Sequence, residues 1–165
     1  MCRWILFLLF SCPLFGIENQ PRNLLLKIWG DPPKPVIYLG MWTYHFRDHD
    51  GSCNWNNHAY GIEYNGYFIS SMMNTYHQHC ATIGITRDYF QRRLTKDLGI
   101  SLGYRLGGIY GYDSKLKSIA DFAEKYKILP YGQIYTHIIF KRVRFEISYI
   151  NQLVSFHLSL LLKDF

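Results

Sequence analysis

Charged residues are scarce in this chain of 165 residues, 18% of the whole, yet no stretch stays apolar for the roughly 18 residues that a membrane helix needs. A helical membrane span is therefore excluded. Cysteine is also scarce. Of four, Cys2 and Cys12 lie near the start, which leaves Cys53 and Cys80 as a pair that could be bonded or reduced. Nothing repeats at a solenoid period and no linker-like stretch divides the chain, so one domain of ordinary size accounts for it. Despite a formal charge of +6, the basic residues are dispersed. Only Arg92-Arg93 and Lys141-Arg142-Arg144 cluster, and no recognition helix accompanies them. Nucleic acid is thus not the expected partner; anionic lipid head groups are.

Aromatic residues are abundant, with 14 Tyr, 11 Phe and 4 Trp, while the mean hydropathy is close to neutral at −0.11. That combination suits the girdles of a membrane β-barrel better than membrane helices. The opening Met1–Gly16 has one basic residue, Arg3, followed by an apolar run from Trp4 to Phe10, and reads as a signal peptide over 1–16. Leu9-Phe10-Ser11-Cys12 also resembles a degenerate lipoprotein signal. Residues 17–35 form the entry to the domain. Asn23–Trp29 is a short amphipathic segment, stopped by Gly30, Pro32, Pro33 and Pro35, that suits an interfacial helix or a strap packed on a core.

From 36 to 165 the pattern changes to a period of two. Eight strand-like segments follow: Val36–Phe46, Ala59–Tyr64, Tyr67–Asn74, Ala81–Tyr89, Leu98–Tyr110, Gly132–Phe140, Arg142–Ile150 and Leu153–Leu162. In the last of them Val154, Phe156, Leu158, Leu160 and Leu162 alternate with Ser155, His157 and Ser159. Asn65-Gly66 between alternating segments signals a tight hairpin, and Lys141 and Asn151-Gln152 mark further turns. Ser114–Lys127 departs from the alternation, with Ile119, Phe122, Ala123 and Tyr126 at helical spacing, and reads as a short helix inside a loop.

The expected fold is all-β: an eight-stranded antiparallel up-and-down barrel preceded by a short amphipathic helix. Its inward set would hold Glu63, Arg105, Arg144, Glu146 and His157, able to pair among themselves. The lumen of so small a barrel is mostly filled by side chains, so a transport pore is not expected. An ordinary sheet half-buried in a soluble domain would show the same alternation.

At the end of the first strand His45 shares a face with Met41 and Thr43, opposite Trp42, Tyr44 and Phe46. Met73-Asn74-Thr75-Tyr76 closes the third strand on the same rim. Here the chain resembles the outer-membrane lipid A palmitoyltransferases. Their Trp-His motif is matched by Tyr44-His45, and their Asn-containing loop and aromatic-Gly strand by Asn56-Asn57-His58-Ala59-Tyr60-Gly61. Met73-Asn74-Thr75-Tyr76 stands in place of a Lys-Asp-Ser-Trp motif. Leu102-Gly103-Tyr104, Gly107 and Asp113 resemble a Leu-Gly-Phe strand with its following Gly and Asp, and Pro130, Phe145–Tyr149 and Phe165 resemble the closing strands.

The resemblance implies an outer-membrane enzyme moving a fatty acyl chain from phospholipid to a lipopolysaccharide acceptor of the lipid A type. It implies His45 as acid/base, Asn74 and Thr75 in the places of Asp and Ser, and Tyr44, Tyr76, Gly61 and Gly103 as substrate contacts. No cofactor or metal is expected, and the chain is expected to be a monomer. An amide cannot orient an imidazolium as a carboxylate does, and a secondary alcohol is a crowded nucleophile. A noncatalytic membrane barrel and a secreted, lipocalin-like binder of apolar ligands therefore remain the rival readings. Zinc is a further possibility at His77-Gln78-His79-Cys80 with His45, His49, Cys53 and His58, although no standard ligand spacing appears and ordinary loop histidines are the expectation.

Overall fold

The structure, a computed structural model, describes residues 29–46, 53–112, 125–150 and 153–163. The signal-like start, all of the Asn23–Trp29 helix except Trp29, most of the Ser114–Lys127 helix, His49, Asp113, Asn151-Gln152 and Phe165 lie outside the described residues. Within them the chain forms eight strands: β1 (Val36–His45), β2 (Tyr60–Tyr64), β3 (Tyr67–Met73), β4 (His79–Arg93), β5 (Leu98–Tyr110), β6 (Ile128–Phe140), β7 (Val143–Ile150) and β8 (Leu153–Leu161). Each pairs antiparallel with the next, and β8 returns to β1, so the sheet closes. Closure leaves no sheet edge along most of the wall.

Sequence pattern decides most of this. Asn65 and Gly66 both take positive φ, 50° and 75°, as a two-residue type I′ hairpin requires. Two departures from strict alternation were not legible as such. In β1 the register shifts between Tyr38 and Gly40, so that Val36 and Tyr38 face inward at even positions while Thr43 does so at an odd one. In β4 a shift between Asp88 and Phe90 makes Tyr89 a bulge. The alternation breaks there, whereas β4 itself runs on to Arg93, four residues beyond the segment expected from sequence.

Strand β6 likewise begins at Ile128, not Gly132, and passes through Pro130. The proline is tolerated because β7 pairs with β6 only from Ile134 onward, so the imino nitrogen faces no ladder partner there.

The β2–β3 hairpin is short and leaves the lower part of β4 unpaired on one side, since β3 reaches only to Ile85. The Pro-rich entry fills this gap. Asp31 exchanges backbone hydrogen bonds with Asp88 at 2.9 and 2.8 Å. Arg87, on the outer face of β4, is sealed beneath the strap: Trp29 and Tyr67 lie 5.2 and 5.9 Å from its guanidinium carbon, and the guanidinium donates to the Gly66 carbonyl at 2.8 Å.

The lumen is filled by a polar knot. Arg144 makes a bidentate pair with Glu63 at 3.1 and 3.0 Å. Arg105 makes another with Glu146, both contacts at 2.9 Å, and also donates to the Tyr38 hydroxyl at 3.0 Å. Tyr38 in turn donates to Glu63 at 2.6 Å. His137 and Ser101 continue the network from Glu146, at 2.9 Å per step. Because Glu146 only accepts, His137 donates to it from Nε2. Tyr135 stacks on His137 and donates to Asp88 at 2.9 Å. All five residues of the expected inward set, Glu63, Arg105, Arg144, Glu146 and His157, are buried here.

Removing one member of a buried, hydrogen-bonded ion pair strands its partner, at a cost of about 3–5 kcal/mol. Arg144→Met should therefore lower the unfolding free energy by about that amount in a urea titration followed by Trp fluorescence. The double change Glu63→Leu with Arg144→Met should recover most of the loss. Equal destabilisation by single and double variants would show that the pair does not act as a unit.

Candidate functional site

Longer connections, 46–59, 74–78 and 111–127, leave one end of the barrel, and the tight turns 65–66, 94–97 and 141–142 leave the other. His45 ends β1 at the loop-bearing rim, and Thr75 opens the loop after β3. Because β1 and β3 run the same way, their ends meet. His45 Nε2 lies 3.1 Å from Thr75 Oγ1, in a half-buried position open to the rim. Tyr112 also contacts Thr75, burial raises its phenol above the ordinary value, and its ring meets Tyr76 edge-on at 6.2 Å.

Asn74 is close by but otherwise engaged. It is 1% exposed, and its side-chain oxygen accepts from the Tyr76 and Gln78 amides at 2.9 and 3.0 Å. Its amide nitrogen points to Gln78 Oε1 and the Gly111 carbonyl, both at 3.4 Å. Asn74 thus shapes the loop that presents Thr75, and its side chain is not turned toward His45. Two more asparagines complete this scaffold. Asn57 accepts from Thr43 at 2.5 Å and donates to the Met73 carbonyl at 2.8 Å; Asn54 donates to the Asn74 carbonyl at 3.2 Å, while its own amide bonds the Thr75 carbonyl at 2.9 Å. In effect residues 54–59 stand in for the missing upper part of β2 between β1 and β3. Asn54 was not singled out from sequence; its only signal is the density of asparagine between Cys53 and His58, ambiguous without the fold.

The remaining expected contacts do not gather at this point. Tyr44 and Phe46 pack edge-on at 5.5 Å and are exposed. Gly61 lies in the wall, paired with Tyr38 and Ser70. Gly103 lies midway along β5, where a Cβ would fall on the Arg87 carbonyl and the Tyr135 ring. Its role is close packing at the lumen wall, away from the rim.

Among the described residues no group of His, Cys, Asp and Glu is placed to hold a metal. His77 and His79 are exposed, whereas Cys80 points the other way into the interior, and no disulfide joins it to Cys53.

Between the polar knot and the rim lies a cavity of about 50 Å³, bounded by Tyr38, Met41, Phe68, Met72, Ile109 and His157. Pockets for drug-sized ligands are roughly 300–1,000 Å³, so this space admits a few heavy atoms and not a long chain. At the rim beyond it an imidazole and a hydroxyl are held in contact. No family model and no curated protein matches this chain.

Losing the Asn74 side chain leaves the Tyr76 and Gln78 amides without their acceptor, worth about 1–3 kcal/mol if they stay buried. Hydrogen exchange at these two amides should accelerate by about tenfold or more in Asn74→Ala, and Asn74→Asp, which keeps an acceptor oxygen, should largely preserve their protection. Unchanged exchange in the alanine variant would contradict the scaffold role.

Proposed function

We propose that this chain is a membrane-spanning barrel of the outer-membrane type, closed to transport by its own ion pairs and working at its loop-bearing rim. The observation that carries the reading is the wall itself. Outward positions are apolar along the strands, as at Ile37, Leu39, Ile62, Ile69, Ile83, Leu102, Leu106, Ile134 and Ile138, all exposed. Exposed rings border this zone at both ends: Tyr44, Tyr60, Tyr110 and Tyr149 toward the loops, Tyr64, Tyr67, Tyr89 and Phe140 toward the turns. Soluble monomers rarely expose contiguous apolar patches above about 300–600 Å², whereas an apolar band between aromatic girdles suits a bilayer. Charges held inside and grease held outside invert the arrangement of a soluble domain.

The His45–Thr75 contact favours a second, more specific reading: acyl transfer between membrane lipids, with phospholipid as donor and a lipid A type molecule as acceptor. His45 Nε2 would take the proton of the acceptor hydroxyl as that oxygen attacks the donor ester, and return it to the departing glycerol oxygen. Thr75 would hold the ester beside it by hydrogen bonding. The acyl chain would lie along the outer wall, given the size of the interior cavity.

The folded chain in detergent should migrate faster on a gel before boiling than after, and should partition away from detergent-free buffer. A heat-insensitive, freely water-soluble protein would exclude the membrane reading. In an assay with radiolabelled phospholipid and lipid A, His45→Ala should lower transfer by about a hundredfold or more, with Thr75→Val also impaired. If wild type transfers nothing while remaining a heat-modifiable barrel, the noncatalytic reading holds.

A further inference from the structure

The tight-turn end of the barrel gathers basic residues that sequence leaves scattered. Arg92, Arg93 and Lys96 flank the β4–β5 turn, Lys141 and Arg142 form the β6–β7 turn, and Lys163 follows β8; all six are exposed. These turns are tied into one arc. The Lys141 amide bonds the Asp97 carbonyl at 2.7 Å, and the Leu161 amide bonds the Arg142 carbonyl at 2.7 Å. The Arg142 guanidinium reaches back to the Leu161 carbonyl at 3.1 Å, and that of Arg93 to the Lys96 carbonyl at 2.9 Å. Among the described residues of this arc the only carboxylate is Asp97. Arg144, adjacent to the same cluster in sequence, does not belong to it, because strand alternation turns it into the lumen against Glu63.

We propose that this arc binds the phosphate groups of anionic phospholipids, so that the turn-bearing end faces a leaflet of anionic phospholipid. The inference rests on the membrane reading above and adds an orientation and a lipid class to it. Position supports it as well as charge. Phe140 and Tyr89, exposed near the turn ends of β6 and β4, place the cations just beyond the apolar wall, and the Lys141 ammonium lies 5.6 Å from the Phe140 ring centre. That is the depth at which lipid phosphates sit relative to aromatic girdles. A run of cations there attracts an anionic surface, with an effect of about fivefold in affinity per charge that fades beyond a Debye length of about 10 Å at 0.1 M salt. Two of the six, Arg93 and Arg142, also brace the turns, which leaves Arg92, Lys96, Lys141 and Lys163 as the cations to alter without dismantling them.

The test uses the full chain folded in zwitterionic micelles, with bound lipid counted by native mass spectrometry as phosphatidylglycerol or phosphatidylcholine is added. Wild type should prefer phosphatidylglycerol by at least about tenfold, and inorganic phosphate at equal concentration should not displace it. The combined variant Arg92→Gln, Lys96→Gln, Lys141→Gln and Lys163→Gln should lose the preference while keeping heat-modifiable migration. Lys125→Gln with Lys127→Gln, at the opposite end, should retain it. Should the combined variant fail to fold, each single substitution is expected to reduce the preference by about fivefold. Equal binding of both lipids by a heat-modifiable wild type, or full preference in the altered arc, would overturn the proposal. Displacement by inorganic phosphate would replace lipid with a free anion as the ligand. Absence of heat-modifiable migration in wild type would instead remove the membrane reading beneath it.

Discussion

Two arginines and two glutamates meet inside the barrel, and the rest of the molecule is arranged around them. Glu63 comes from β2, Arg105 from β5, and Arg144 and Glu146 from β7, so the two bidentate pairs span the lumen between strands that are not neighbours in the sheet. Backbone hydrogen bonds hold each strand to the next; the ion pairs tie together strands that are not neighbours. Withdrawing these charges from water is costly, and the cost is offset by the two bidentate contacts, although the Nε atoms of Arg105 and Arg144 and both ring nitrogens of His157 are buried without a hydrogen-bond partner. A barrel with another register would leave charges stranded.

The same knot decides what the interior is for. With Tyr38, His137, Ser101 and Tyr135 joined to it, little space is left beyond the small cavity toward the rim. A passage for solutes would require these pairs to break. The two ends of the barrel differ. One end carries short, basic turns, and the other carries the loops where His45 and Thr75 touch and where Asn54, Asn57 and Asn74 supply the stiffening that a short β2 does not.

Much of this architecture was legible in the residues. The alternating segment Leu98–Tyr110 coincides with β5, and alternation alone assigns the inward polar set, because a strand must turn successive side chains to opposite faces. Legibility failed where that periodicity was interrupted. The bulge at Tyr89 hid the end of β4, Pro130 masked the start of β6, and the shift beyond Tyr38 changed which residues of β1 face inward. At the rim, the proximity of His45 and Thr75 followed from counting strands. The engagement of the Asn74 side chain by its own loop did not follow, since asparagine offers equal numbers of hydrogen bonds to a substrate and to a backbone.

By itself, the sequence determined strand number, the sidedness of each strand and the tight hairpin at Asn65-Gly66, because these depend on neighbours in the chain and on the period of the backbone. Only the tertiary structure decided which charges pair, that Trp29 and the Pro-rich strap seal Arg87, and that Arg144 leaves its basic neighbours for the lumen while theirs form one arc. Those outcomes depend on register around a closed ring, where residues as far apart as Glu63 and Arg144 become partners. No local pattern records that distance.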